Sequence, residues 1–332
     1  MRVGVIGLGR IGARHAATLL DLPGVDSVVV TDAVPATIER VSADLDVETA
    51  ATPSALLGAN VDGVVIAAAT GAHAELIGAA VQAGVPVFCE KPVAGTVEEA
   101  VAVQQRVRGR GVPVQIGFNR RFDPGVVAAR RAVLSGVLGR LHTVRSTTMD
   151  PAPPPATYLA ASGGIFRDCA VHDFDVIRYV TGREVTEVYA AGDADTVSTL
   201  LTLDDGAVAV VSNTRYNGAG YDVRLELHGS RASVAAGWDD RMPMRSTEPG
   251  ARIPAAEPYR FFLDRFAAAY RAELAAFLEV IAGARRSPCT ITDGVEAARI
   301  AEACDRSLDE HRPVALDEIS PGRGGPVGRC AG

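Results

Sequence analysis

Residues 1–117 alternate short β-branched runs with alanine-rich stretches of helical periodicity. The runs contain no regular polar positions, which is typical of strands covered on both faces. The predicted strands are residues 3–6, 27–31, 61–67, 85–89 and 112–116. The predicted helices between them are residues 11–22, 35–45, 72–83 and 96–109. This alternation predicts a parallel, doubly wound α/β sheet.

After Pro124 the pattern changes to strands that follow one another with short turns at hairpin spacing, such as Asp204-Asp205-Gly206. The predicted strands are residues 141–148, 185–191, 196–203, 207–214, 222–228 and 232–236. The predicted helices are residues 126–135, 170–180, 260–282 and 292–310. We therefore predict an α+β region with a large, mainly antiparallel open sheet and helices on one face.

The length of 332 residues suits two domains. We predict a doubly wound domain over residues 1–118 and an α+β domain over residues 119–319. Residues 320–332 are rich in glycine and proline and have no apolar periodicity, so we predict a disordered tail there.

Composition narrows the classes of function. Hydrophobic residues make up 48% and charged residues 22% of the chain, which predicts a globular core. The net charge of −7 disfavours nucleic acid and anionic membranes as partners, because their phosphates repel an acidic chain. The five cysteines have no metal-binding or redox spacing. Because no apolar signal core precedes the first strand either, we expect a cytoplasmic protein with reduced thiols.

The segment GLGRIG at residues 7–12 directly follows the first predicted strand and opens the first predicted helix. In this context Gly7 permits a tight turn, Gly9 lets a diphosphate approach the backbone, and Gly12 lets the helix pack against the strand. The free N–H groups at the helix N-terminus favour an anion. The segment therefore predicts a dinucleotide site.

Asp32 lies twenty positions beyond Gly12, at the end of the second predicted strand. A carboxylate there accepts hydrogen bonds from ribose hydroxyls and repels a 2′-phosphate. We therefore predict NAD rather than NADP as the cofactor. Arg10 and Ile11 are assigned to the same site, although Arg10 fits an exposed position equally well.

Two further motifs carry candidate chemistry. Lys91, in Glu90-Lys91-Pro92, follows a strand at the carboxyl edge of the sheet, where ligands bind in open α/β folds. Asp168 and His172 are spaced to share one face of a helix, and a histidine near its ordinary pKa is a suitable base for a hydroxyl proton. Taken singly, the lysine also fits an exposed strand end, and the Asp–His pair also fits a helix-surface contact or an N-cap.

Together these motifs resemble the glucose-fructose oxidoreductase / inositol dehydrogenase / rhizopine catabolism (Gfo/Idh/MocA) family, over residues 1–316. The resemblance rests on Glu90-Lys91-Pro92 and on residues 162–175, SGGIFRDCAVHDFD. With Asn213-Thr214-Arg215 and Gly220-Tyr221-Asp222, these segments are most similar to inositol 2-dehydrogenases. The resemblance implies a Rossmann domain followed by a substrate-binding and oligomerisation domain. It also implies NAD-dependent oxidation of a secondary alcohol on a cyclic polyol.

The resemblance also implies roles for single residues. Lys91 hydrogen-bonds the reacting hydroxyl and stabilises the alkoxide, His172 is the general acid/base, and Asp168 binds a neighbouring hydroxyl. The residues implied to face the substrate are Asn119, Arg121, Asp150, Asp168, His172 and Tyr221. The cofactor-binding set is completed by Ala69, Thr70, His73, Glu90 and Lys91. The open face of the second sheet is implied to form a homodimer or homotetramer.

No metal is expected, because the histidines His15, His73, His142, His228 and His311 have no metal-ligand spacing. One departure from the family pattern concerns specificity. Inositol dehydrogenases carry a tyrosine two positions before Tyr221, where this chain has Ala219, and the loop at residues 150–155 is proline-rich. An alternative substrate is therefore an amino-sugar, scyllo-inositol or an aminocyclitol pseudodisaccharide of antibiotic biosynthesis. Further alternatives are an NAD-dependent glycoside hydrolase and a non-catalytic NAD sensor.

Overall fold

The computed structural model describes residues 1–251 and 254–319. The tail predicted to be disordered, residues 320–332, lies outside the described residues. Among the described residues, no helix combines the length and apolar character needed to cross a bilayer.

The first sheet has six parallel strands in the order β3-β2-β1-β4-β5-β6, the order of dinucleotide-binding folds. Its strands are β1 Arg2–Ile6, β2 Ser27–Thr31, β3 Glu48–Thr49, β4 Gly63–Ile66, β5 Val87–Glu90 and β6 Val114–Gly117. The helices around it are α1 Arg10–Leu20, α2 Pro35–Asp44, α3 Pro53–Leu57, α4 Thr70–Gln82 and α5 Val97–Val107. The predicted doubly wound sheet is confirmed; β3 and α3 were not predicted.

The second sheet has seven strands in the order β12-β11-β7-β10-β9-β8-β13. They are β7 Leu141–Met149, β8 Val185–Gly192, β9 Thr196–Leu203, β10 Val208–Thr214, β11 Asp222–Gly229, β12 Ser233–Ala236 and β13 Val314–Ala315. All pairs are antiparallel except the central pair of β7 and β10. The sheet is therefore mainly antiparallel, as predicted.

The helices of the second half are α6 Pro124–Leu134, α7 Ala156–Ala161, α8 Val171–Thr181, α9 Phe262–Arg265, α10 Ala267–Ile281 and α11 Ile291–Glu310. The prediction of one continuous helix over residues 260–282 is wrong. The backbone departs from helical geometry at Phe266, with φ −111° and ψ 20°, and this residue separates α9 from α10. The Phe266 side chain is buried at this break, where it packs in a small cluster of aromatic residues.

The strands of the second sheet alternate buried and exposed residues, because only one face is covered. The covered face packs against α8 and α11. Helices α10 and α11 also reach the first half, where Phe277 joins the core around β1 and Val295 joins the core around β6. Helices α10 and α11 therefore contact both halves of the fold. For this reason the domain boundary after residue 118 stays a prediction.

Candidate active site

The turn between β1 and α1 has the geometry that its glycines predict. Gly7 has φ +91°, and a Cβ there would lie 2.5 Å from the backbone nitrogen of Ala68. A Cβ on Gly12 would collide with the carbonyl oxygen of Gly7. Gly9, the N-cap of α1, has no neighbouring atom within 4 Å of an added Cβ, so the space above the helix N-terminus is open. This combination fits a bound diphosphate.

Asp32 holds the glycine turn from the end of β2. Its carboxylate accepts hydrogen bonds from the backbone N–H groups of Leu8 at 2.6 Å and of Val34 at 2.8 Å. The carboxylate is therefore fixed beside the turn, at the position where dinucleotide-binding folds bind a ribose.

A cavity of about 520 Å³ lies between the two sheets and extends from this turn to the end of β5. It brings together ten of the residues assigned from the sequence. They are Gly9, Arg10, Ile11, Glu90, Lys91, Asn119, Asp150, Asp168, His172 and Tyr221. Gly7, Gly12 and Asp32 shape the turn without lining the cavity. The guanidinium of Arg10 lies over the ring of Phe262, 5.0 Å from its centroid.

Lys91 and Asp168 connect the two sides of this cavity. Lys91 Nζ donates a hydrogen bond of 2.9 Å to the backbone oxygen of Asp168 and lies 3.7 Å from its carboxylate. Asp168 belongs to a π-helical turn, Phe166–Ala170, that runs directly into α8. Such turns widen a helix and are frequent at functional sites. The predicted α-helical spacing is therefore altered locally, although Asp168 and His172 still line the same cavity.

His172 is held in a low-dielectric position in the first turn of α8. Its ring packs edge-on against Phe118, with 5.8 Å between centroids, and its Nδ1 is buried without a partner among the described residues. Burial, and then the positive charges of Lys91 and Arg120, lower the pKa of His172 well below its usual value. The imidazole is therefore neutral at neutral pH and able to accept a proton.

The carboxylate of Asp168 accepts hydrogen bonds from two side chains that the sequence analysis did not assign to the site. Tyr158 Oη donates to Oδ1 at 2.8 Å, and Arg215 Nη2 donates to Oδ2 at 3.2 Å. Burial and the neighbouring Asp168 charge raise the pKa of Tyr158, so the phenol stays protonated.

Further polar groups line the cavity. Asn119 and Tyr221 are buried, and burial raises the pKa of the Tyr221 phenol. Asp150 accepts a hydrogen bond from the thiol of Cys169 at 3.5 Å. Burial raises the pKa of Asp150 against the opposing effect of this thiol. The cavity thus offers both hydrogen-bond donors and acceptors.

Arg121, which the sequence analysis assigned to the substrate side, does not line the cavity. Its guanidinium forms two hydrogen bonds with Asp175, at 2.6 and 2.8 Å, and an ion pair with Asp293 at 3.0 Å. The neighbouring Arg120 lines the cavity and donates to Thr148 at 2.8 Å. Both arginines lie in a 3-10 turn, Asn119–Phe122, that directs adjacent side chains to different sides.

His73 does not face the cavity. It is 1% exposed, and its ring nitrogens lie 2.7 Å from the carbonyl oxygen of Pro92 and 3.0 Å from that of Ala68. The ring therefore connects the loops after β4 and β5. Ala69 and Thr70 line a second cavity of about 360 Å³, which shares Lys91, Tyr158 and Asp168 with the first.

Residues 1–118 match a family model, GFO_IDH_MocA, described as an oxidoreductase family with an NAD-binding Rossmann fold. Residues 126–235 match the GFO/IDH/MocA C-terminal domain. These two matches cover most of both halves of the fold.

Relatives of known name match nearly the full length. The myo-inositol dehydrogenase Hyg17 of Streptomyces leeuwenhoekii is 39% identical over 322 residues, which are 92% of this chain and 97% of the relative. The inositol 2-dehydrogenase of Rhizobium meliloti (strain 1021) is 36% identical over 332 residues, which are 95% of this chain and 99% of the relative.

A similar crystal structure contains ligands. The scyllo-inositol dehydrogenase of Lactobacillus casei, with bound NAD(H) and scyllo-inositol, is 28% identical and superposes with a TM-score of 0.87. The match covers 96% of this chain and 99% of that one.

Proposed function

Because this chain belongs to the GFO/IDH/MocA oxidoreductase family, with NAD as cofactor, we propose that it oxidises one secondary hydroxyl of a cyclic polyol to the ketone. The reaction is that of a myo-inositol 2-dehydrogenase. The observation that carries the proposal is the cavity in which a neutral His172 lies with Lys91 and Asp168, open to the glycine turn.

The described residues fit the cofactor. The open space at Gly9 suits the diphosphate, and the carboxylate of Asp32 suits the adenosine ribose. Glu90 and Lys91, which line the same cavity, would then hold the nicotinamide end. Bound NAD supplies the hydride acceptor.

In the proposed mechanism His172 removes the proton of the reacting hydroxyl. Oxidation breaks the O–H and C–H bonds of the alcohol: the proton goes to the imidazole, the hydride leaves with both electrons of the C–H bond, and the carbon becomes a carbonyl. Lys91 stabilises the developing negative charge on oxygen, an electrostatic effect that a buried cation exerts strongly. Because Lys91 is hydrogen-bonded to Asp168, its ammonium is positioned before the substrate enters.

The other polar groups are proposed to orient the ring. Asp168 would accept a hydrogen bond from a neighbouring hydroxyl that displaces Tyr158. Asn119, Asp150 and Tyr221 also line the cavity and would provide contacts for further hydroxyls. Arg120 replaces Arg121 in this set, since its guanidinium borders the cavity.

The second cavity supports the alternative of a larger or amino-substituted ring. It adjoins the first at Lys91, Tyr158 and Asp168, so an additional group on the ring could extend past Tyr158. Its polar lining includes Thr70, Thr96 and Ser162. Ala219 lines neither cavity.

A substrate panel tests both candidates. The appearance of NADH would be measured with purified protein, NAD and myo-inositol, scyllo-inositol, glucose, glucosamine or a 2-deoxystreptamine-type pseudodisaccharide. Turnover of a plain inositol supports the first candidate, and turnover only of an amino-substituted or two-ring compound supports the second. Release of a free alcohol without net NADH would instead indicate a glycoside hydrolase, and no turnover of any cyclic polyol would contradict the proposal.

A further inference from the structure

Three ionisable side chains from separate elements meet on the cofactor side of the cavity. His15 lies in α1, Glu90 ends β5, and Glu273 lies in α10. One nitrogen or oxygen atom from each lies within 4.8 Å of those from the other two. His15 and Glu273 have no solvent exposure, whereas Glu90 borders the cavity. The proposed hydride transfer does not account for this cluster.

Glu273 is the residue that demands an explanation. Both of its carboxyl oxygens are buried without a hydrogen-bond partner among the described residues. An ionised carboxylate there would lose its hydration and gain no donor in return. Burial, and then the charge of Glu90, raise the pKa of Glu273 well above its usual range. The carboxyl group therefore needs either a proton or a cation.

The contact between His15 and Glu90 indicates that a proton, rather than a metal ion, neutralises the carboxyl group of Glu273. His15 Nε2 and Glu90 Oε1 are 2.7 Å apart, the length of a direct hydrogen bond. Ligands of one tetrahedral zinc, each about 2.0–2.1 Å from the metal, stand more than about 3 Å apart. If Nε2–H donates to Glu90, Nδ1 carries no hydrogen, which suits its buried position without a partner. Contacts with Phe88 and Tyr270, at 5.5 and 5.9 Å between ring centroids, hold the imidazole in place.

We propose that Glu273 is a neutral carboxylic acid next to the Glu90 carboxylate, so that the two groups together keep a single negative charge near the nicotinamide end of NAD. Glu273 is a positioning residue that acts through Glu90. The ionisable groups that face it are His15, Glu90, Cys289 and, from its own helix, Tyr270. Reduction removes the positive charge of the nicotinamide ring, so one carboxylate at this position favours the oxidised cofactor. The inference goes beyond the proposed polyol oxidation and holds for whichever ring is oxidised.

The pH dependence of stability tests the proton on Glu273. Glu273→Gln keeps the shape and an N–H donor but cannot titrate, and Glu279→Gln on the exposed side of α10 is the matched control. A proton bound in the folded state and released in the unfolded chain makes stability fall as the pH rises above the ordinary glutamate pKa of about 4.3. We expect the Tm of the wild type and of Glu279→Gln to decline with pH relative to that of Glu273→Gln. Parallel Tm curves for the wild type and Glu273→Gln would overturn the proposal.

If Glu273→Gln does not fold, two other measurements test the proposal. Infrared difference spectra of unlabelled and carbon-13-glutamate wild type should contain the carbonyl band of a protonated glutamic acid at neutral pH. Calorimetric titration of Glu90→Gln with NAD and with NADH should show a preference for the oxidised form that is at least about tenfold weaker than in the wild type. Absence of the acid band, an unchanged cofactor preference, or one bound metal ion per wild-type chain would overturn it.

Discussion

Lys91 Nζ donates a hydrogen bond of 2.9 Å to the backbone oxygen of Asp168, across 77 positions of the chain. The bond ties the carboxyl edge of the first sheet to the π-helical turn before α8. Because the acceptor is a backbone atom, the course of that turn positions the ammonium. The carboxylate of Asp168 accepts hydrogen bonds from Tyr158 and Arg215 instead. The proposed site is therefore assembled by contact between the two halves of the chain.

Loss of the proposed base should abolish most of the turnover. His172→Ala is expected to lower kcat by about two to four orders of magnitude, the usual contribution of a general base, without loss of NAD affinity. NADH production and calorimetric titration with NAD would measure the two quantities. Unchanged kcat, or loss of NAD binding alone, would contradict the assignment.

The pKa of His172 should depend on the positive charges around its ring. Because its pKa is lowered, the neutral form persists as the pH falls through the ordinary histidine value of about 6.5. Lys91→Met removes one of the cations that lower this pKa, so the histidine should then titrate at higher pH. NMR titration of the imidazole in both proteins measures the shift without requiring activity. If His172 titrates at the same pH in the wild type and in Lys91→Met, the charge of Lys91 does not lower its pKa.

Asp32 should determine the affinity for the dinucleotide. Asp32→Ala removes a ribose acceptor and the partner of the Leu8 N–H group, so we expect Kd for NAD to rise about tenfold or more. The preference for NAD over NADP should decrease, because the repulsion of a 2′-phosphate is lost. Calorimetric titrations with both cofactors provide the measurement, and Asp44→Ala, at an exposed position of α2, is the control. An unaltered ratio of the two affinities would rule out this role.

Arg121 should stabilise the fold and contribute little to substrate recognition. Arg121→Met leaves Asp175 buried without its partner, which is expected to cost about 3 kcal/mol or more of unfolding free energy. Asp175→Asn in the same chain should recover part of that loss. Urea unfolding measures the stability, and kcat/KM of the folded fraction should stay near the wild-type value. A large loss of kcat/KM with normal stability would indicate instead that Arg121 contacts the substrate.

The open face of the second sheet is the proposed surface for self-association. Tyr189 and Leu200 are paired across β8 and β9 and are 41% and 45% exposed. Leu200→Asp should lower the mass in solution, measured by light scattering, because it places a charge in an apolar interface. Leu134→Asp changes an exposed leucine of α6 and should not. Equal masses for both variants and the wild type would show that this face is not the interface.

Much of the fold could be predicted because its patterns are local. Strands buried on both faces, as in β1, have continuous apolar runs, and strands covered on one face, as in β11, alternate apolar and polar residues. The short strands β3 and β13 have only two residues each and no usable pattern. The parallel pairing of β7 with β10 could not be predicted either, since periodicity does not state which strand lies beside which.

The sequence by itself determined the dinucleotide turn, because strand, glycine segment and helix N-terminus are consecutive, and it identified Lys91, Asp168 and His172 through their motifs. Only the tertiary structure decided that Arg120 rather than Arg121 borders the cavity, and that His73 connects two loops. Only it brought Glu273 to Glu90. The physical reason is that side-chain direction within a short turn, and contacts between distant segments, depend on how the elements pack rather than on local spacing.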